Sequence, residues 1–280
     1  MTPNVTVRFF IYSPGRAGST AIANELSGTE TVICFQEPFV KIDRLTPERR
    51  EISVREYRKN GICRNDAYAI AKENERRDIY GYGIVSLADP TMNAARYLDL
   101  LESHEAHSDK SAVGFKAVKG QIDGVPDLWK ELARRQYIAL CLTRRNYVKG
   151  ALSAAIAQQK GLYNTNDPAR VESFRRDRVN VPLPVVANFI REYRRARWAA
   201  PWSLRFRGMR TVKICYEDFL SDRMAFYRQV FTAIGVDFEL PPPSSIQKLV
   251  PPDLADFIEN YDEVAAFLKR RLLSGKLHAP

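Results

Sequence analysis

The sequence predicts an α/β protein, a three-layer sandwich with a central, mainly parallel β-sheet flanked by helices. Three observations predict it. Short apolar, β-branched runs recur between longer segments with helical patterning. One run, Tyr137-Ile138-Ala139-Leu140-Cys141-Leu142, is apolar throughout, as a parallel strand covered on both faces should be. Strands that alternate with helices imply parallel pairing through right-handed crossovers. At 280 residues the chain can bury a full core, and it is read as one domain over 1–280.

Val5-Thr6-Val7-Arg8-Phe9-Phe10-Ile11 reads as a first buried strand. A helix over Ala21–Leu26 follows, with Ile22 and Leu26 one turn apart and Gly28 past its end. Thr31–Phe35 is a second short strand, ended by Gln36-Glu37-Pro38-Phe39. Residues 41–110 are charged and mainly helical by pattern, a helical insertion suited to shaping an acceptor pocket. Tyr80-Gly81-Tyr82-Gly83 interrupts that region before a helix at Asn93–His104. Ala112–Val118 is a third strand, Asp127–Arg135 a helix, and Tyr137–Leu142 the apolar strand already noted. Thr143-Arg144-Arg145-Asn146 then leads into a helix over Tyr147–Gln159.

Residues 161–184 hold Asn164, Asn166, Asp167, Pro168, Pro182 and Pro184, and read as a flexible crossing or lid. Val186, Phe189, Ile190 and Tyr193 mark one face of a long helix, with arginines mostly opposite. Thr211–Tyr216 is a further strand, Arg223–Ile234 a helix ending at Gly235, Pro241-Pro242-Pro243 a stiff connector, and Leu254–Leu273 a last helical segment.

Hydrophobic residues make up 45% and aromatic residues 11%, which fits a globular protein and argues against disorder. The formal net charge of +10 points to a polyanionic partner: nucleic acid, an anionic surface or a phosphorylated ligand. Paired arginines are dispersed (Arg175-Arg176, Arg194-Arg195, Arg270-Arg271) without an aromatic base-stacking motif, so nucleic acid is disfavoured. Cys34, Cys63, Cys141 and Cys215 form no C-x-x-C pair, and three of them sit in strand-like runs where a buried thiol is expected. His104 and His107 lie three apart beside Glu102 and Glu105 but have no further ligand cluster, so no metal site is expected. No signal peptide precedes the first strand and no apolar run is long enough to span a membrane, which implies a soluble, cytoplasmic protein.

The chemistry gathers where strands end. In Tyr12-Ser13-Pro14-Gly15-Arg16-Ala17-Gly18-Ser19-Thr20, strand, glycine-bearing turn and helix aim several backbone N–H groups and the positive helix end at one point. A phosphate or sulfate fits there, with hydroxyls from Ser19 and Thr20 and the guanidinium of Arg16 in support. An ordinary turn with a serine N-cap and a surface arginine has the same pattern. A nucleotide-binding loop of the G-x-x-x-x-G-K-[ST] type is disfavoured, because Ser19 follows Gly18 with no lysine between. Arg145 and Ser153, eight apart after a central strand, suit a grip on one phosphate from two sides; a solvated helix start and a small packing residue are the alternative. Glu37 is either a surface glutamate before a turn proline or a carboxylate able to take a proton from an attacking hydroxyl. Lys116 is either a strand-end lysine in water or an ammonium at the site.

These residues, in this order, resemble sulfotransferases that use 3′-phosphoadenosine-5′-phosphosulfate (PAPS), nearest the carbohydrate and bacterial glycolipid members. The resemblance rests on Pro14–Thr20, the Glu37-Pro38 turn, Gly114-x-Lys116, the Arg145–Ser153 spacing and Tyr216-Glu217-Asp218-Phe219. It implies the fold of those enzymes, which is like that of P-loop nucleotide hydrolases. It also implies PAPS as co-substrate and adenosine 3′,5′-bisphosphate as product, without a metal. By the resemblance, Arg16, Ala17, Gly18, Ser19 and Thr20 hold the 5′-phosphosulfate, and Arg145 with Ser153 holds the 3′-phosphate, with Arg144 in reserve. Glu37 is then the base, Lys116 steadies the moving sulfuryl group, and the Tyr216 element braces the loops. The acceptor implied is a hydroxyl of a glycan, glycolipid or small molecule; a homo-oligomer is compatible. The rival readings are a small-molecule kinase of related fold and a basic nucleic-acid-binding protein.

Overall fold

A computed structural model describes residues 6–39, 51, 54, 82–103, 110–251 and 253–273. Along the chain run β1 (Val7–Ser13), α1 (Ser19–Leu26), β2 (Val32–Phe35), α2 (Tyr82–Ala88), α3 (Ala94–Glu102), β3 (Ala112–Val118), α4 (Lys119–Ile122), α5 (Leu128–Arg134) and β4 (Ile138–Thr143). Then come α6 (Tyr147–Lys160), α7 (Pro168–Arg176), α8 (Leu183–Phe206), β5 (Thr211–Cys215), α9 (Tyr216–Ser221), α10 (Arg223–Ile234) and α11 (Tyr261–Leu273). Contacts group the chain into two compact units, Met1–Arg145 with Ala196–Ser244, and Asn146–Arg195 with Ser245–Pro280.

The first unit holds a five-stranded sheet of order β2-β3-β1-β4-β5, every pair parallel. The expected α/β class and parallel sheet are thus what the chain forms. Period-two alternation divides each strand between two helical layers. Phe9 and Ile11 of β1, Val32 and Cys34 of β2 and Leu140 and Leu142 of β4 pack with Ile22 and Leu26 of α1 and with Phe226 and Val230 of α10. Phe10 and Tyr12, Ile33 and Phe35, Val113 and Phe115, and Ala139 and Cys141 face the other way, onto Tyr97, Leu98, Leu128 and Leu132. That is the three-layer sandwich. Each fully buried Phe, Ile or Leu contributes about 1.5–3 kcal/mol. The chain leaves β1 toward β2 and β3 on one side and later reaches β4 and β5 on the other. The crevice at the carboxyl end of β1 is therefore the topological switch point, where open parallel sheets bind ligands.

Several elements are set by caps that the sequence carries. Asn93, Asn146 and Asp222 accept from the backbone N–H of Arg96, Lys149 and Ala225 at 3.0, 2.9 and 2.9 Å, opening α3, α6 and α10. Gly235 closes α10 in the left-handed region (φ 73°). Cys34 and Cys141 are buried free thiols, as expected, whereas Cys215 is free but only partly buried; burial pushes the Cys141 thiol up to about 12. Cys63, His104, His107 and most of 41–110 lie outside the described residues. Tyr82 and Gly83, read as an interruption, open α2 instead. The Tyr82 ring packs on Phe39 and Tyr97 (centroids 6.0 and 5.5 Å), and this tertiary contact overrides the glycine signal.

In the second unit, residues 161–184 are not loop throughout. Asp167 Oδ1 accepts from Ala169 N–H at 2.9 Å and Pro168 stands in the first turn of α7, whose Val171 and Phe174 are buried. The Asp-Pro pair that reads as a breaker is here a helix start. The small residues of α6 have a packing reason: a Cβ on Gly150 would lie 2.5 Å from the Tyr193 ring.

Glu25 ties the α1 side of the first unit together. Its carboxylate accepts from Arg223 Nε at 2.8 Å, Tyr227 Oη at 2.9 Å and Ser244 N at 3.0 Å. Burial first, then the charge of Glu25, holds the Tyr227 phenol well above its ordinary value. Glu25→Ala strips three donors of their acceptor, and a loss of about 2–3 kcal/mol in urea unfolding is expected. A loss below about 0.5 kcal/mol would show that water replaces the carboxylate freely.

Candidate active site

The loop between β1 and α1 leaves the sheet at the switch point. Gly18 is the N-cap of α1 at φ 84°, and no side chain caps the helix. Ile22 N–H bonds Gly18 O at 3.2 Å and closes the first turn. The N–H groups of Ser19, Thr20 and Ala21 precede that bond and have no intrahelical acceptor, which is the anion-binding geometry of a helix start. The serine N-cap reading is therefore replaced by a glycine cap. Gly18 is required twice: its φ is left-handed, and a Cβ there would lie 2.2 Å from the Tyr216 ring. Arg16 is also left-handed (φ 63°), and Ala17 is fully buried beneath the loop against the α1 side of the core. At the end of β1, Ser13 Oγ is buried with no hydrogen-bond partner among the described residues. A buried orphan hydroxyl at the mouth of an uncapped helix fits an oxyanion ligand.

Lys116 and Glu37 are neither a solvated strand end nor a surface glutamate. Lys116 occupies the α1 side of β3, two residues after Gly114, and is 3% exposed; Glu37 is 4% exposed. Gly114 is small for a reason, since a Cβ there would lie 2.4 Å from the Phe9 ring. The Lys116 ammonium pairs with Glu37 Oε1 and donates to Thr20 Oγ1 at 2.6 Å. Gln121 Nε2, at the end of α4, donates to Glu37 Oε2 at 2.6 Å. A buried chain therefore runs Gln121–Glu37–Lys116–Thr20 and ends on the first turn of α1. Burial of both charges is tolerated because each is paired and hydrogen-bonded.

The turn that carries Glu37 is held from below. Pro38 O accepts from Tyr82 N–H at 2.7 Å and from Tyr97 Oη at 3.1 Å, and Phe39 is buried against Tyr97 and Phe115 (centroids 5.2 and 5.3 Å). Glu37 itself has φ 37°, a left-handed conformation before a proline that favours extended backbone. Such strain persists only where the surroundings over-determine it, and it clusters at functional sites. Gln36 Nε2 adds a tie to α1, donating to Asn24 Oδ1 at 2.6 Å and Thr20 O at 3.2 Å.

After β4 the two arginines divide their work. Arg144 lies over the Tyr216 ring (4.6 Å to the centroid), and its Nη1 donates to Arg16 O at 3.2 Å. It props the anion loop from behind. Arg145 is exposed; its guanidinium pairs with Asp218, which holds it above its ordinary value, and its N–H donates to Glu217 Oε2 at 2.8 Å. Tyr216, Glu217 and Asp218 thus brace the Arg16–Gly18 and Arg144–Arg145 loops, in line with the sequence expectation. Ser153 lies on α6 in the second unit and is nearly buried. Arg16, Ala17, Gly18, Ser19, Thr20, Glu37 and Lys116 all belong to the switch-point end of the first unit. Gln121 and the Ser13 hydroxyl are additions the sequence did not mark, and Arg144, held in reserve for the 3′-phosphate, contacts Arg16 O and the Tyr216 ring instead. Gln121 follows β3 by three residues, and only its contact identifies it.

No protein-family model matches the chain, and no curated protein matches it in sequence. Among solved structures it is similar to a sulfotransferase from Alicyclobacillus acidocaldarius (15% identity, TM-score 0.43, covering 95% of this chain and 94% of that one). It is also similar to a sulfotransferase domain from the curacin biosynthetic pathway (16%, 0.44, 84% and 75%). A third is a sulfotransferase domain of the Synechococcus PCC 7002 olefin synthase (13%, 0.44, 100% and 99%). Among the described residues no helix is long and apolar enough to cross a membrane, and no group of three or more His, Cys, Asp or Glu is placed to hold a metal.

Proposed function

We propose that the chain is a sulfotransferase that moves a sulfuryl group from PAPS to a hydroxyl of a carbohydrate, glycolipid or other small-molecule acceptor. The observation that carries this reading is the buried Glu37–Lys116–Thr20 chain ending at the uncapped start of α1. The chain links a carboxylate and an ammonium to the first turn of α1, which supports reading that turn as an oxyanion cradle. The cradle's cations are Arg16 and a lysine from β3, where a kinase of the common P-loop type carries its lysine in the loop itself.

In this reading PAPS supplies an activated sulfuryl group, and the residues do the rest. The N–H groups of Ser19, Thr20 and Ala21, the Thr20 hydroxyl and Arg16 hold the 5′-phosphosulfate and stabilise charge on the departing phosphate. Lys116 has three donor hydrogens; two serve Glu37 and Thr20, which leaves one for a sulfuryl or bridging oxygen. The acceptor oxygen forms its bond to sulfur as the bond to the phosphate oxygen breaks, and the acceptor proton passes to Glu37. Gln121 orients that carboxylate. The assignment of Arg145 and Ser153 to the 3′-phosphate rests on the sequence spacing.

Calorimetry with adenosine 3′,5′-bisphosphate tests the donor site, and labelled PAPS over a panel of glycans, lipids and simple alcohols tests the reaction. Heat of association and label transfer are expected; absence of both, or transfer only from ATP with Mg²⁺, overturns the reading. Arg145→Ala should weaken adenosine 3′,5′-bisphosphate about tenfold or more while leaving adenosine 5′-phosphate nearly unchanged. Equal weakening of the two would remove Arg145 from the 3′-phosphate.

A further inference from the structure

Helix α8 carries two apolar stripes on opposite sides. Ala196, Ala200 and Leu204, each one turn from the next, are buried. Trp198, Trp202 and Phe206, offset by two residues and so rotated by roughly 200°, are 56%, 58% and 87% exposed. Three large aromatics in line on one face, without cover from the described chain, are far from the scattered exposure normal for a surface.

Guanidinium groups flank the stripe. Arg197 lies 5.3 Å from the Trp198 ring and Arg205 5.6 Å from the Trp202 ring. From Arg194 to Arg210 the sequence holds six arginines and no acidic residue. An aromatic line edged by cations is the pattern of a helix lying in a membrane interface. There indole rings sit at headgroup depth and arginines meet lipid phosphates. Charge decides among occupants. A second copy docked by its own stripe would bring two arginine-rich faces together with no acid between them, whereas an anionic leaflet neutralises both edges.

We propose that the exposed Trp198–Trp202–Phe206 face of α8 is a peripheral docking surface for anionic lipid bilayers. The inference is independent of the chemistry assigned to the β1–α1 loop. Sedimentation of the full chain with vesicles of phosphatidylcholine alone, and of equal parts phosphatidylcholine and phosphatidylglycerol, tests it. Binding is expected to the anionic vesicles only, with a blue shift of tryptophan emission and loss at high salt. Trp198→Ser with Trp202→Ser should weaken association about tenfold or more, and Arg205→Gln about fivefold. Both variants alter exposed side chains, and an unchanged Tm and circular dichroism spectrum verify the fold. Equal binding to neutral vesicles, or no binding to either, overturns the proposal. So does anionic binding that the double tryptophan variant leaves intact. Vesicle-free self-association or capture of single-stranded DNA that the tryptophan variant abolishes, without vesicle binding, assigns the face to those occupants instead.

Discussion

Replacing Lys116 by methionine should destabilise the protein by about 3–5 kcal/mol, the cost of leaving a buried carboxylate without its counter-charge. Glu37 and Lys116 expose 6% and 3% of their side chains, so water is poorly placed to take the ammonium's role. Methionine fills the aliphatic volume but returns neither the charge nor the bond to Thr20 Oγ1. The informative comparison is a double-mutant cycle. Lys116→Met with Glu37→Gln removes both charges together, and unfolding in urea should show a loss smaller than the sum of the two single losses, by a coupling energy of about 1–3 kcal/mol. Additive losses would show that the two side chains are held by their surroundings and not by each other.

Glu37→Gln should lower turnover by about 10²–10⁴-fold, the range for a positioned general base, while adenosine 3′,5′-bisphosphate still binds. The amide is nearly the same size as the carboxylate and keeps an oxygen toward Lys116, but it cannot accept the acceptor's proton. Gln121 Nε2, which donates to Glu37 Oε2, would then face an amide nitrogen or force a flip. Gln121→Glu should therefore impair turnover as well, through like charge against Glu37. Full activity in Glu37→Gln would return the residue to a purely structural role in the buried chain.

The sheet was legible because its strands are apolar and its helices carry their own punctuation. Asp222 and Gly235 bound α10 within the sequence, and the unbroken apolar run at Tyr137–Leu142 marks a strand covered on both faces. What stayed hidden was pairwise. The Asp167-Pro168 pair reads equally as a breaker or as a helix start, and the burial of Val171 and Phe174 is what decides it. Lys116 and Glu37, 79 residues apart, each read as ambiguous, because only the fold brings ammonium and carboxylate into one buried pair. Arg144 and Arg145 are neighbours of one residue type. Their division into a loop prop and an exposed cation depends on Tyr216 and Asp218, more than 70 residues downstream.

The strand order also governs how the chain emerges from the ribosome. β1 pairs only with β3 and β4, and Val7 meets Ala112 in register. At about 5–20 residues per second, the run Val7–Ser13 waits roughly 5–20 s for its first strand partner. β2 offers no relief in the interval, because it too pairs with β3. Phe9, Phe10 and Ile11 therefore gain strand neighbours only once β3 has been made, with α1 alone at hand to cover Phe9 and Ile11 in the interval, which makes this segment a place where nascent chains would aggregate or recruit a chaperone.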